Sequence, residues 1–387
     1  MGHRPRMSKF RRILLIITIA THAPFLVGVA EGIRRLGTPT LAAWGVASAL
    51  AALGVWLFFG RASHIADDDK RPWHQTFLVD VPYFVHWCAC IYCIVPSLVY
   101  LLVEPIVDLA RGASVGPSPG FFMWTYASGL VVCAYGVTLR RWWFVVRRVE
   151  IPVRGLDKRF DGFRIAQLSD MHIGGQTPAW WGRRWISRAN AEGADIVVVT
   201  GDMVTSGVAF HQDIAGLVGD LRGKDGVFVS MGNHDYFGEG EPLISLLQEK
   251  GAKVLRNSGV LLERDGASLY LAAIDDTWTR RANLNLALEA RPEGAPCVLL
   301  AHDPDRFPLA VERNVDVVIS GHTHGGQIAV PFLARYINAS KLAHHFHIGL
   351  YKKGDSTLYV SPGLGTTGPP MRLGVAPAVA IVTLRAT

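Results

Sequence analysis

Four stretches in the first 140 residues are long and apolar enough to cross a bilayer, and they commit this part of the chain to a membrane. Residues 13–30 run for 18 positions without a charge, 41–60 for 20, 81–103 for 23 and 121–139 for 19. A helix needs about 20 apolar residues to cross the hydrocarbon layer. Pro24, Pro82 and Pro96 fit such spans, because neighbouring helices re-satisfy the backbone. Trp73, Trp124, Trp142 and Trp143 lie at span edges, where amphipathic rings prefer to sit.

The flanking charges set an orientation. Arg4, Arg6, Lys9, Arg11 and Arg12 precede the first span; Arg34 and Arg35 follow it; Arg61, Lys70 and Arg71 follow the second. Arg111 alone follows the third, and Arg140, Arg141, Arg147, Arg148 and Arg154 follow the fourth. The positive-inside rule then puts the N-terminus and everything after span four in the cytoplasm, on a multi-pass inner-membrane protein. The first span reads as a retained anchor rather than a cleaved signal peptide. His22 and His86 fall inside spans and Asp80 at the edge of one. Such groups are functional candidates, but no inverted repeat accompanies them, so the spans read as an anchor or a substrate-presenting region.

Charge is uneven along the chain. Residues 1–150 hold 15 Lys/Arg against 8 Asp/Glu, and residues 151–387 hold 24 against 24. The excess belongs to the membrane part. A basic nucleic-acid-binding face on the globular half is excluded, and no nucleic-acid partner is expected. Five cysteines do not make a disulfide scaffold. Cys88, Cys90, Cys93 and Cys133 sit in apolar runs, and Cys297 precedes another, so all read as packed thiols.

From residue 149 the pattern changes, which sets domains at 1–148 and 149–387. Apolar runs predict strands at 163–168, 196–200, 227–231, 269–274, 298–301, 315–320, 357–360 and 378–384. Amphipathic runs predict helices at 180–191, 211–221 and 242–250. Strands alternating with helices, then strands more closely spaced, give a layered α/β domain around a β-sandwich.

The chemistry-bearing residues follow those apolar runs. The first ends in Asp170-Met171-His172, the second in Gly201-Asp202, the third in Gly232-Asn233-His234-Asp235; His302 and Gly321-His322-Thr323-His324 come later. Strand ends converge on one rim of a sheet, where α/β folds place ligands. The set offers carboxylate, carboxamide and imidazole but no thiolate, which suits Mn²⁺, Fe or Zn²⁺. Two divalent cations about 3.5–4 Å apart can share a carboxylate, acidify water and clamp a phosphoryl oxygen. Each element alone is weak; all five in this order are specific.

LSDMHIG (168–174), VTGDMV (199–204), MGNHDYFG (231–238), LLAHDPD (299–305) and SGHTHGGQIAVPF (320–332) resemble the motifs of the calcineurin-like metallophosphoesterases. The resemblance covers about residues 150–387 and is strongest to the YkuE-like, membrane-associated bacterial branch. The tail at 349–377 supports that branch, although Pro362 stands where the branch usually has Arg and Ala378 where it often has Glu. The resemblance implies a four-layer α/β/β/α sandwich. It implies Asp170, His172 and His324 on a first metal, Asn233, His302 and His322 on a second, and Asp202 bridging them. His234 would face the phosphoryl group and Asp235 would orient it. The implied reaction is in-line attack of a metal-bound hydroxide on phosphorus, with Mn²⁺ the expected metal.

The motifs do not select among monoesters, diesters and pyrophosphates. A bilayer tether favours a phosphodiester or pyrophosphate at the membrane, with membrane lipids as partners; one candidate is the lipid-linked nucleotide UDP-2,3-diacylglucosamine. The alternatives are a general phosphodiesterase or phosphomonoesterase acting on a small substrate, a non-catalytic metal-binding scaffold, and a transporter with a regulatory domain. Two further segments are ambiguous. Trp180, Trp181 and Trp185 with Arg183 and Arg184 form either an interfacial patch or a core-packing helix face. His344, His345 and His347 either line the cleft or form a solvated turn. The run Asp67-Asp68-Asp69 reads as a solvated loop.

Overall fold

The computed structural model describes residues 9–65, 70, 72–112 and 118–387. The acidic run Asp67-Asp68-Asp69 and the flanking cations Arg4, Arg6 and Arg71 lie outside them. The chain forms two compact units, Met1–Ala66 with Pro72–Leu139, and Asp67–Arg71 with Arg140–Thr387.

The first unit is all helical. It contains α1 (Lys9–Arg35), α2 (Thr40–Ile65), the short α3 (Trp73–Gln75), α4 (Val81–Tyr92), α5 (Ile94–Arg111) and α6 (Pro119–Ala134). A π-helical turn at Thr76–Asp80 joins α3 to α4, and another at Tyr135–Arg140 ends α6. Among the described residues four helical stretches are long and apolar enough to cross a membrane: Leu15–Arg35, Thr40–Phe58, Trp73–Arg111 and Pro119–Arg140. Each overlaps one of the four expected spans. Their outward faces are apolar; Ile16 is 66 % exposed and Leu102 72 %, as lipid-facing side chains are. The intramembrane histidines partner each other. His22 Nδ1 donates to the Thr18 carbonyl at 2.7 Å, His22 Nε2 lies 3.3 Å from His86 Nε2, and His86 Nδ1 lies 2.9 Å from the Tyr126 hydroxyl. Hydrogen bonds of this kind tie membrane helices together. All five cysteines are free and buried.

The second unit holds twelve strands: β1 (Val145–Val153), β2 (Arg164–Leu168), β3 (Ile196–Thr200), β4 (Gly226–Ser230), β5 (Lys253–Val254), β6 (Ser258–Arg264), β7 (Ala267–Ala273), β8 (Cys297–Leu300), β9 (Val317–Ser320), β10 (Gly349–Lys353), β11 (Ser356–Val360) and β12 (Ala378–Ala386). They form two six-stranded sheets, ordered β1-β12-β2-β3-β4-β5 and β10-β11-β9-β8-β7-β6. Strands β2, β3 and β4 run parallel in the first sheet, and β7, β8 and β9 in the second. Helices α7 (Ala179–Ala191), α8 (His211–Gly219) and α9 (Gly240–Glu249) follow β2, β3 and β4; α10 (Leu284–Leu288) and α11 (Phe307–Glu312) belong to the second half.

Parallel strands covered on both faces read as continuous apolar runs, and all five residues of β3 are buried. Ile165, Val198 and Phe228 of the first sheet share one core with Leu271, Val298 and Val317 of the second. Trp185, Ile214 and Leu243, from α7, α8 and α9, share a core with Val197 and Val199 of the first sheet. Ala287 and Phe307 cover the far face of the second. The result is the four-layer α/β/β/α sandwich.

Two expectations need adjustment. The boundary set between 148 and 149 falls inside β1, and the long segment of the second unit starts at Arg140. The cations there, read as span flanks, are partly strand residues: β1 pairs in parallel with β12 at the sheet edge, and edge strands carry charge on their open side. Of the tryptophan cluster, Trp185 is buried in the core and Trp181 packs edge-on against Trp142 at 4.8 Å, which is the core-packing alternative. Trp180 stays exposed.

Asp195 clamps the entry to β3. Its carboxylate accepts from the Arg164 backbone N–H at 2.7 Å, and from Lys224 and Arg264 at 3.2 Å each. Burial pushes the carboxyl up, but these donors outweigh it and hold it below its ordinary value. A depressed folded-state pKa gives stability that is present above the unfolded pKa and lost as pH falls through the folded one. Asp195→Asn is expected to cost about 1 kcal/mol at pH 7, with the gap from wild type closing below about pH 4. Thermal melts of both proteins across that range check it.

Candidate metal centre

The carboxyl ends of five parallel strands deliver the site. Asp170 and His172 follow β2, Asp202 follows β3, and Asn233, His234 and Asp235 follow β4; His302 follows β8, and His322 and His324 follow β9. Contacts link Asp170, His172, Asp202, His234, Asp235, His302, His322 and His324 at these strand ends, and Asn233 stands next to His234 in the loop after β4. The turns that bring them together are tight. Asp170, His172, Asp202, His322 and His324 have φ between 46° and 69°. Left-handed backbone at non-glycine residues costs about 1 kcal/mol each and clusters at functional sites.

The donor atoms fall into two groups around one carboxylate. In the first, His172 Nε2 lies 3.1 Å from His324 Nε2, and His324 Nε2 lies 3.6 Å from Asp170 Oδ1. In the second, His302 Nε2 lies 3.1 Å from Asp202 Oδ2 and 3.2 Å from His322 Nδ1. Asp202 Oδ2 is also 3.7 Å from His172 Nε2, so one oxygen faces both groups. Asn233 Oδ1 and Asp170 Oδ2 are buried without a hydrogen-bond partner. Orphaned buried oxygens are costly unless something else satisfies them.

These residues fit divalent cations. The Nδ1–H of His302 is committed to the Thr200 carbonyl at 2.7 Å, so Nε2 presents its lone pair to the Asp202 oxygen. A cation or a proton must sit between them. Burial disfavours charge on the His302 ring, yet Asp202 and Asp170 pull it up to about 10. Burial equally disfavours charge on Asp202, but His302 and His234 hold it well below the usual carboxylate range. His172 and His324, both fully buried, are held neutral by desolvation, the state in which imidazole binds metal. Burial raises Asp170 to about 6. Oxygen and neutral imidazole donors in two adjacent sets are a binuclear donor set.

His234 stands against the first set, offering a ring nitrogen within 4.8 Å of donor atoms of His172 and Asp202. Its Nδ1–H donates to the Thr205 carbonyl at 2.6 Å, and its backbone N–H donates to Asp202 Oδ1 at 2.9 Å. Its ring meets His172 edge-on at 4.7 Å and Phe237 at 4.6 Å. Asp235 does not orient this ring, contrary to expectation. Both its oxygens accept backbone N–H groups: Gly232, Asp202, Met203 and Val204, at 2.7–3.3 Å. Asp235 therefore staples the loop after β3 to the loop after β4, and the ring-orienting group is Thr205.

Relatives define the class. A family model described as calcineurin-like phosphoesterase matches residues 163–326. A transmembrane protein with a metallophosphoesterase domain from Danio rerio is 30 % identical over 339 residues, covering 80 % of this chain and 76 % of its own. The chain belongs to the calcineurin-like phosphoesterases. The uncharacterized metallophosphoesterase YkuE of Bacillus subtilis is 32 % identical over 232 residues, covering 59 % of this chain and 81 % of its own. This calcineurin-like phosphoesterase is a metal-dependent phosphoester hydrolase with membrane-spanning helices.

Three contributors lie outside the expected site residues. Thr205 lies three residues past Asp202, outside any recognisable pattern. Arg372 is fully buried; it donates to the Gly365 and Pro362 carbonyls, and its Nη2 lies 3.3 Å from His324 Nδ1. Burial pushes this guanidinium down to about 9. Trp278 is exposed at the rim, 5.4 Å from the His322 ring. Of the histidine cluster, His344 stands 5.0 Å from His322 and pairs with Asp305, His347 is buried, and only His345 is exposed. That places His344 at the cleft.

Gly321 is the tightest point in the cradle. A methyl group there would collide with Ser169 and with the Asp170 carboxylate. Gly321→Ala is expected to displace Asp170, lower metal content per chain and cut turnover at least about 100-fold, while circular dichroism stays unchanged. Metal analysis of the purified variant checks this.

Proposed function

We propose that the centre hydrolyses phosphodiester or pyrophosphate bonds with two divalent metals. Asp170, His172 and His324 hold one, Asn233, His302 and His322 the other, and Asp202 lies between them. The observation that carries this is the single Asp202 oxygen facing both donor groups. Two such cations supply Lewis acidity to a phosphoryl oxygen and acidify water. Mn²⁺ suits the all-oxygen-and-nitrogen set, with Fe and Zn²⁺ as alternatives.

The chain's own residues do the rest. Thr205 holds Nδ1–H of His234, so Nε2 is the face presented to substrate. Protonated, that nitrogen donates to the leaving oxygen as the P–O bond breaks; neutral, it offers only a lone pair. Asp235 acts at one remove, by holding the backbone on both sides of Asp202 and His234. Phe237 and Trp278, 45 % and 61 % exposed, flank the centre as aromatic surfaces for the non-phosphate parts of a substrate.

The catalytic unit faces the cytoplasm in this reading. Flanking cations support it. UDP-2,3-diacylglucosamine stays in the substrate panel as a membrane-borne pyrophosphate; no residue of the site singles out its uracil or acyl chains.

The test is hydrolysis by full-length protein in detergent, stripped by chelator and reloaded with Mn²⁺. The panel is an aryl phosphodiester, an aryl monoester and UDP-2,3-diacylglucosamine. His234→Ala is expected to keep two metals per chain and lose about 10²–10⁴-fold in kcat; Asn233→Ala is expected to lose metal as well. Full turnover by a folded His234→Ala protein contradicts the assignment. Two bound metals with no turnover on any ester favours the non-catalytic scaffold.

A further inference from the structure

The segment that follows the last histidine motif displays its apolar side chains instead of burying them. Phe332 is fully exposed, Leu342 is 94 % and Tyr336 67 % exposed, and Leu333 and Ile337 are about half exposed. The segment is built, not merely extended. Val330 N–H donates to the Ile337 carbonyl, and Tyr336 and Ile337 N–H both donate to Leu333. Asn338 closes it internally, donating to the Ala334 carbonyl and accepting from Ser340 and from the Lys341 backbone. An ordered surface whose backbone polar groups bond internally, with large apolar groups outward, suits a water–lipid boundary.

Charge points the same way. From Asp316 to Asp355 the sequence has no intervening carboxylate, and it holds Arg335, Lys341, Lys352 and Lys353. The second half of the chain is otherwise balanced. Among the described residues none of these four cations makes an ion pair with a carboxylate. Arg335 leans on the Tyr351 ring and donates to the Leu350 carbonyl, and Lys341 donates to the Tyr336 carbonyl. Unneutralised cations beside exposed aromatic and aliphatic groups complement anionic headgroups above an acyl layer.

The base of the segment is tied to the metal centre. Thr323, between His322 and His324, donates to the His347 carbonyl at 2.7 Å, and Gly326 lies against Asn338 so closely that no side chain fits there. The chain also brings its own bilayer. Only residues 141–144 separate the last span from β1, a reach of about 14 Å.

We propose that residues 330–342, with the cations of the β10 hairpin, form a binding surface for anionic phospholipid headgroups and enter the boundary of the bilayer the chain spans. It replaces the tryptophan cluster of α7 as the interfacial element. The site then opens at a lipid surface, and its substrate class is a phosphoester carried by that surface. This last step rests on the proposed hydrolysis; the binding does not.

The experiment uses full-length protein in nanodiscs, with a fluorophore on Leu342→Cys and, as reference, on Glu293→Cys, an exposed position elsewhere on the unit. The native cysteines are buried. Lipids carrying a nitroxide near the headgroup are expected to quench the label at 342 at least about threefold more than at 293, and more strongly in phosphatidylglycerol discs than in neutral ones. Arg335→Gln with Lys341→Gln should remove that lipid dependence while hydrolysis of a soluble aryl diester is unchanged. Equal quenching at the two positions overturns the proposal. A blue shift at 342 without nitroxide quenching also overturns it, because a second copy or another protein then covers the surface. Quenching requires no turnover, so failure of the hydrolysis reading is told apart from failure of this one.

Discussion

A carboxylate almost without access to water sits where the two sheets meet, and the rest of the centre is arranged to tolerate it. Asp202 is 2 % exposed. An unpaired buried anion costs several kcal/mol. One of its oxygens accepts the His234 backbone N–H and the other faces His302 and His172. Its own backbone N–H is held by Asp235. Removing the imidazoles leaves the charge uncompensated and removing Asp235 leaves the Asp202 amide without its acceptor, so the loops after β2, β3, β4 and β8 are mutually dependent. The apolar core between the sheets supplies the rigidity: Val198, Phe228, Val298 and Val317 are at most 1 % exposed, and such close packing fixes the strand ends that carry the ligands.

Backbone strain follows from that convergence. Two carboxylates and three imidazoles at strand ends must turn sharply to aim inward, which forces positive φ at five non-glycine residues. Glycine would relieve the strain and remove the ligand. The strain is therefore carried by the packed strands on either side, and Gly321 leaves room where the loops after β2 and β9 pass closest.

Much of this was legible in the sequence because the relevant signals are local. A buried parallel strand is a continuous apolar run, so β3, β8 and β9 were visible, and a ligand placed just past such a run is aimed at the sheet edge. Signals that depend on partners were not legible. β1 and β10 mix charged and apolar residues because they lie at sheet edges, and β5 has only two residues. The role of Asp235 is not legible in sequence because its partners are backbone amides, which leave no trace in side-chain identity. Thr205 contributes through its carbonyl, which every residue possesses. Trp181 and Trp185 fit either an interfacial patch or a core-packing helix face by composition and spacing, and the packing of α7 decides for the core.

The most direct measurement of the central claim is anomalous diffraction from crystals of the full-length protein loaded with Mn²⁺. The account requires two peaks about 3.5–4 Å apart, with Asp202 between them, Asp170, His172 and His324 on one side, and Asn233, His302 and His322 on the other. A single peak, or two peaks that do not share Asp202, would contradict it.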